Sequence, residues 1–241
     1  MGPSMRQLLP SPLRPLLAGL VFLLVVAMAA VARAHGVSEE DRSFIEGAAG
    51  AHVIAYIYLG AKHMVTGYDH LLFLFGVIFF LYRLREVGAY VSLFAIGHST
   101  TLLLGVFADL RANPYLIDAV IGLSVVYKAA DNLGAFKTWL GVQPNTKAAV
   151  LIFGFFHGFG LATKLQELSL SPDGLVANLV SFNVGVEVGQ ILALVAIVSL
   201  LNVWRTRPSF SRSVVLANTA LMTAGFVLTA YQLAGYFAPG A

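Results

Sequence analysis

Cysteine is absent from all 241 residues. Disulfides, thiolate metal sites and thiol catalysis are therefore excluded, which leaves imidazole, carboxylate and amide groups as the available metal ligands. Charge is scarce as well: Asp, Glu, Lys and Arg make up 11% of the chain, against roughly 25% in soluble domains. An ordinary water-soluble globule is excluded on that ground. The sequence also lacks an aromatic-basic groove or nucleic-acid motif, an H-E-x-x-H metalloprotease signature and a strong internal repeat, so nucleic acid is not an expected partner and an inverted-repeat transporter architecture is not supported.

What fills the space is apolar. Hydrophobic residues account for 58% of the chain and the mean hydropathy is +0.81. Spanning the ~30 Å hydrocarbon core takes about 20 residues, and stretches of that kind recur along most of the length. The expected fold class is all-α, a polytopic membrane helix bundle of about six transmembrane helices with the lipid bilayer as its solvent.

The N-terminus reads as an export signal. Arg6 and Arg14 precede an apolar run from Leu16 to Val31, followed by Ala32-Arg33-Ala34, a small-x-small site suited to signal peptidase. Residues 1–34 are expected to be removed, making His35 the first mature residue. A terminal His offers an α-amino group and an imidazole to a metal, although Glu39, Glu40 and Asp41 can equally belong to a solvated linker. Residues 35–62 are read as an extracytoplasmic segment, partly amphipathic from Phe44 to Lys62, and 63–241 as the six-helix domain.

Helices are expected near 66–83, 87–107, 115–133, 148–165, 175–203 and 214–237. Pro114, Pro144, Pro172 and Pro208 fall between them, where a missing N–H costs least. Arg83, Arg85, Lys137, Lys147, Arg205, Arg207 and Arg212 lie on alternate connections, whereas the opposite ones carry mainly Arg111 and Lys164. The positive-inside rule then puts both mature termini outside an inner, plasma-type membrane, in agreement with a cleaved export signal.

Ionisable groups within such helices cost at least about 2.5 kcal/mol each when central, so each needs a partner or a function. The densest cluster is His63-Met-Val-Thr-Gly-Tyr-Asp69-His70. A seven-residue interval puts both histidines on one face of a continuous helix, and Asp69 can ligate directly or fix the tautomer of a ligating His. The second helix carries Gly97-His98-Ser99-Thr100-Thr101. In the fourth, His157 sits among Gly154, Gly158 and Gly160, residues that permit close helix approach. The fifth aligns Asn183, Glu187 and Gln190 on one stripe. In the third, Asp118 is followed by Lys128 and Asp131, and an i,i+3 salt bridge is sufficient explanation for that last pair.

These segments resemble the HupE/UreJ family of membrane proteins, its broad second branch. The resemblance is carried by His63 to His70 followed by Leu-Leu-Phe-Leu, Ile96-Gly-His98-Ser99-Thr-Thr-Leu, Phe153-Gly-Phe-Phe-His157-Gly-Phe-Gly-Leu-Ala162 and Phe182-Asn183-Val-Gly-Val-Glu187-Val-Gly-Gln190. It implies a six-helix membrane protein and, for members that accompany hydrogenase or urease genes, uptake of nickel. His63, Asp69 and His70 match the His-x5-Asp-His form of nickel-handling members. Of a second signature, Phe-His-Gly-x-Ala/Val-His-Gly-x-Glu, only Phe156, His157 and Gly158 are kept. Leu161 and Lys164 replace its later His and Glu, removing two candidate ligands.

The leading expectation is permeation of a divalent metal ion through His63, Asp69, His70, His98, His157 and Glu187, supported by Ser99, Asn183 and Gln190. Nickel or cobalt follows from the resemblance; copper and zinc suit the same nitrogen and oxygen ligands. Two alternatives use the same groups. One is an intramembrane hydrolase with a metal-bound water, a carboxylate base and the Ser99 hydroxyl. The other is a non-transporting accessory that senses metal or serves metalloenzyme-maturation partners. N-terminal sequencing of the purified membrane protein is expected to begin at His35, and a sequence starting at Met1 or Gly2 would overturn the cleavage reading.

Overall fold

The computed structural model describes residues 39–168 and 171–238; the proposed signal and His35 lie outside them. The described residues are helical and contain no strand. In chain order the helices are α1 (Glu39–Gly47), α2 (Val53–Thr66), α3 (Tyr68–Ile78), α4 (Leu84–Phe107), α5 (Pro114–Asn132), α6 (Ala135–Leu140), α7 (Thr146–Gln166), α8 (Leu175–Arg205) and α9 (Ser209–Phe237). Four of them, α4, α7, α8 and α9, are long and apolar enough to cross a membrane. Large apolar side chains on their outer faces and those of their neighbours are strongly exposed, including Ile54 at 85%, Leu200 at 72% and Phe237 at 77%. Water would penalise such a surface, whereas lipid accepts it.

Local sequence explains where several helices begin. Asn113 caps α5 by accepting hydrogen bonds from the backbone N–H groups of Tyr115 and Leu116, with Pro114 in the first turn. Asn145 does the same for α7 through Lys147 and Ala148. These side chains satisfy N–H groups that a helix start otherwise leaves unpaired.

Three helix pairs form the frame, each with small residues at its seam. In α4–α7, Cβ atoms at positions 97 and 154 would come within 2.6 Å of the Leu151 and Phe94 carbonyl oxygens, and one at 158 would overlap the carbonyl of His98. In α2–α8, Cβ atoms at positions 60 and 185 would overlap the carbonyls of Phe182 and Ile57. In α5–α9, a Cβ on residue 122 would lie 2.6 Å from Thr229 Oγ1 and 2.8 Å from its backbone nitrogen. Backbones that approach this closely gain dispersion contacts, the main packing force where lipid removes the hydrophobic one. Matching positions run in the same direction in α2–α8 and α4–α7 and in opposite directions in α5–α9.

Polar ties fix the ends. The His52 N–H donates to Asn178 Oδ1 at 2.7 Å and Asn178 Nδ2 returns a bond to the Gly50 carbonyl at 2.9 Å, which locks the start of α2 to α8. At the other end, Arg205 donates to the carbonyls of Ile78 and Phe79 at 2.6 and 2.8 Å and lies over the Tyr82 ring. Carbonyls freed where α3 ends are thereby satisfied.

Helix α5, which carries Asp118 and Lys128 with Asp131, is well enclosed. Lys128 and Asp131 are buried and paired at 2.6 Å, and Gln143 also donates to Asp131. The structural explanation expected for this pair therefore holds.

Two expectations change. The bundle begins at Val53 rather than near residue 63, because α2 packs along α8, so a domain boundary at 62/63 falls inside a helix. The first cluster does not sit on a continuous helix either. Gly67 breaks it with an extended backbone, φ −71° and ψ 95°, and a Cβ there would meet His70 Nδ1 at 2.8 Å and the His63 carbonyl at 2.9 Å.

Gly158→Ala is expected to destabilise the detergent-solubilised protein by about 1–3 kcal/mol or more through overpacking. Gly88→Ala, where a Cβ meets nothing within 4 Å, is expected to be neutral or stabilising by up to about 1 kcal/mol. Thermal unfolding of the two variants checks the contrast; equal midpoints would refute the role of the seam.

Candidate metal site

His70 lies at the centre of the site. It belongs to the first turn of α3, just past the break, and its ring centroid is 5.1 Å from that of His63 in the last turn of α2. In an unbroken helix a seven-residue step advances about 10.5 Å along the axis; the Gly67 break helps to shorten that separation. His98 from the middle of α4 and His157 from the middle of α7 stand 5.8 and 5.0 Å from His70. The glycine seam between α4 and α7 holds these two helices, and so these two imidazoles, close together. Phe73 and Phe94 pack against the cluster at 5.3 and 5.0 Å from the His157 ring, and Phe182 lies 6.0 Å from that of His63.

The hydrogen bonds set the tautomers. His70 Nδ1 is 2.9 Å from Asp69 Oδ1, the same oxygen that accepts from the His70 backbone N–H. A ring N–H donating to this carboxylate leaves the lone pair on Nε2, an arrangement that orients and strengthens a metal ligand. His157 Nδ1 likewise donates to the Phe153 carbonyl at 2.8 Å, which leaves its lone pair on Nε2. A backbone carbonyl thus satisfies one nitrogen of His157, as an ordinary membrane histidine would be satisfied.

His98 is different. It is 1% exposed, and neither of its ring nitrogens has a hydrogen-bond partner among the described residues; nor has His70 Nε2. Each buried polar atom left in this state costs roughly 1–3 kcal/mol. Such a cluster is expensive as packing.

Imidazole nitrogens and a carboxylate are donors that divalent transition metals accept. With metal–nitrogen bonds of about 2.0–2.1 Å, the centres of two imidazoles on one tetrahedral ion lie about 5 Å apart, close to the spacings around His70. Among the described residues no three His, Asp or Glu side chains are placed so that they could hold a metal ion; nitrogens that are to converge on one ion need their rings turned from the positions seen.

Other predicted residues lie apart from this cluster. Glu187 is exposed on α8 and lines a groove of about 620 Å³ between α4 and α8, together with Ser99, Thr100 and Gln190. No histidine lines that groove. Gln190 is buried and donates to the Val91 carbonyl at 3.3 Å, tying α8 to α4. Asn183 is buried and donates to the Leu179 carbonyl within its own helix. Glu187 and Gln190 face α4 and the groove, because Gly185 and Gly189 turn the opposite side of α8 toward α2.

One polar group beside the site has no functional role that its sequence context alone points to. Asp118 of α5 is buried, pairs with Lys164 of α7 at 2.8 Å and accepts a 3.3 Å bond from Gln232 of α9. Its signal in the sequence is the cost of a carboxylate in an apolar helix. Lys164, which departs from the nickel-type signature, has a structural partner here, and Leu161 is core.

An all-helical bundle with a lipid-facing exterior and buried histidines at its centre defines a multi-pass membrane protein. A family model described as HupE / UreJ protein matches residues 39–239, and the chain belongs to that family. No curated protein and no solved structure matches it.

His98→Leu replaces two unsatisfied nitrogens with apolar atoms. It is expected to raise the thermal midpoint of the metal-free protein and to diminish any stabilisation by added Ni(II). A lowered metal-free midpoint would show that the His98 nitrogens are not a cost.

Proposed function

We propose that this protein is a permease for a divalent transition-metal ion, nickel or cobalt by family resemblance, with copper and zinc compatible with the same ligands. The observation that carries the reading is the buried meeting of His70 and His98, three of whose four ring nitrogens, His70 Nε2 and both of His98, have no hydrogen-bond partner among the described residues although each costs stability. A cargo ion would supply the missing bonds on arrival and leave the cost behind on departure, a balance that favours passage over permanent retention. His70, held by Asp69, is the central ligand; His98 and His157 are the companions, and His63 lies on the approach.

The topology that suits this role has six crossings, with α2 and α3 as one broken crossing and α4, α5, α7, α8 and α9 as the others. Alternation then gives the parallel and antiparallel pairings described above. Arg83, Arg85, Arg205 and Arg207 would face the cytoplasm of an inner membrane, and both termini of the exported chain would lie outside.

The hydrolase alternative is less well supported, because Ser99 and Glu187 line the lateral groove rather than the histidine cluster. An accessory role in metalloenzyme maturation uses the same ligands, and transport measurements separate it from a permease. Cells producing the wild type should accumulate radiolabelled nickel or cobalt, and His70→Ala at matched membrane levels should reduce accumulation at least tenfold, about the loss expected from removing a central ligand. Equal accumulation in both strains would remove the permease reading.

A further inference from the structure

Helix α1 runs against α2. Its Phe44 ring stands 5.8 Å from that of His52 and 6.4 Å from that of Tyr56, whereas its Asp41 Oδ2 lies 2.7 Å from Lys62 Nζ. Earlier residues of α1 thus meet later residues of α2, so the start of α1 points along α2 toward His63. Lys62 lies about 13.5 Å of helical rise past the beginning of α2 at Val53. The chain therefore approaches α1 from the depth of the histidine cluster, and not from the outer end of the bundle.

Packing accounts for part of this arrangement. Ile45 is 2% exposed and belongs to the apolar core with Tyr56, Leu59 and Met64. The ion pair adds something else. Lys62 is a cation placed next to His63 in the chain, where it would repel an arriving metal ion, and the Asp41 carboxylate neutralises it.

Residues 35–38 are all that separate α1 from the predicted signal-peptidase site after Ala34. Four residues extend over about 13–14 Å at most, more than the roughly 10 Å diameter of a helix. Across the width of α2 from Lys62, the His63 ring is 5.1 Å from that of His70. A chain cut after Ala34 thus ends within reach of the cluster.

The cluster has a use for such an end. His70 Nε2 and both nitrogens of His98 have no hydrogen-bond partner among the described residues, and no three His, Asp or Glu of those residues are placed to hold a metal ion. A first residue that is histidine offers two nitrogens, its amine and its imidazole, which can close one chelate ring on a single ion. An α-amino group gives up its proton at about pH 8, against about pH 10.4 for a lysine. At neutral pH it can release that proton to water and bind a metal in a way that Lys62 cannot.

We propose that His35, once signal cleavage has made it the first residue, ligates the transported ion through its α-amino nitrogen and its imidazole, completing the site built on His70. Its role in passage rests on the permease reading, whereas the ligation can be measured on purified protein that transports nothing. Cleavage is then a step in building the site. Before it, the nitrogen of residue 35 is a peptide amide, so the full donor set exists only in chains that have been exported.

The test uses the full mature chain in detergent, its first residue verified by mass, with Ni(II) alone as the calorimetric probe. Three altered chains are compared with wild type. His35→Ala keeps the amine and removes the imidazole; one alanine inserted before His35 keeps every side chain and displaces the amine; His70→Ala removes the central ligand. Both N-terminal variants should bind Ni(II) about tenfold more weakly or worse, with the metal-free thermal midpoint unchanged. The loss in the alanine insertion cannot come from a missing side chain.

Wild-type affinity in both N-terminal variants, with affinity lost in His70→Ala, would overturn the proposal and leave the histidine cluster standing. Absence of Ni(II) binding by wild type, or equal binding by all four chains, would overturn the cluster and the role of His35 with it. A mature chain that retains residues before His35 would overturn the proposal alone.

Discussion

The His98 carbonyl lies where a side chain on residue 158 would begin, and much of the candidate site depends on that contact. It sets how closely α4 and α7 approach, and these helices carry two of the four histidines. Gly97 and Gly154 repeat the arrangement along the seam, so the separation of His98 and His157 is governed by backbone against backbone rather than by side chains that can change rotamer. The same principle at Gly60 and Gly185 holds α2 to α8 and positions His63. A site whose ligands must turn to meet an ion benefits from walls that do not move.

Polar groups in the bundle divide into two kinds. Lys128 with Asp131, Lys164 with Asp118, and Arg205 with the α3 carbonyls are paired, and their desolvation is offset locally. Among the described residues, His98 is unpaired at both nitrogens and His70 at one. The aromatic neighbours Phe73 and Phe94 supply no conventional acceptor, so the helix frame holds the cost of the cluster. Stability elsewhere in the bundle, above all in the glycine seams, makes that cost tolerable.

The helices and the four histidine-bearing or polar motifs were legible because hydropathy and loop charge are strong one-dimensional signals. The break at Gly67 was not, since a seven-residue histidine interval fits an unbroken helix equally well and only the close packing of His63, Gly67 and His70 distinguishes the two. Glu187 stands apart from the histidines for a related reason. Spacing correctly put it on a stripe with Asn183 and Gln190, but the direction of that stripe depends on which side Gly185 and Gly189 give to α2. Asp118 was visible as a costly carboxylate, whereas its partners Lys164 and Gln232 come from helices far along the chain.

The parallel pairing of α2 with α8 sets a timetable for synthesis. Neighbouring membrane helices in sequence run in opposite directions, so parallel partners must come from distant parts of the chain, and the bond from His52 to Asn178 spans 126 residues. At about 5–20 residues per second, the helix carrying His63 waits on the order of 10 s for its permanent neighbour. During that interval its small-residue face is open to lipid or to a chaperone, and the histidine cluster can be completed only after most of the protein has left the ribosome.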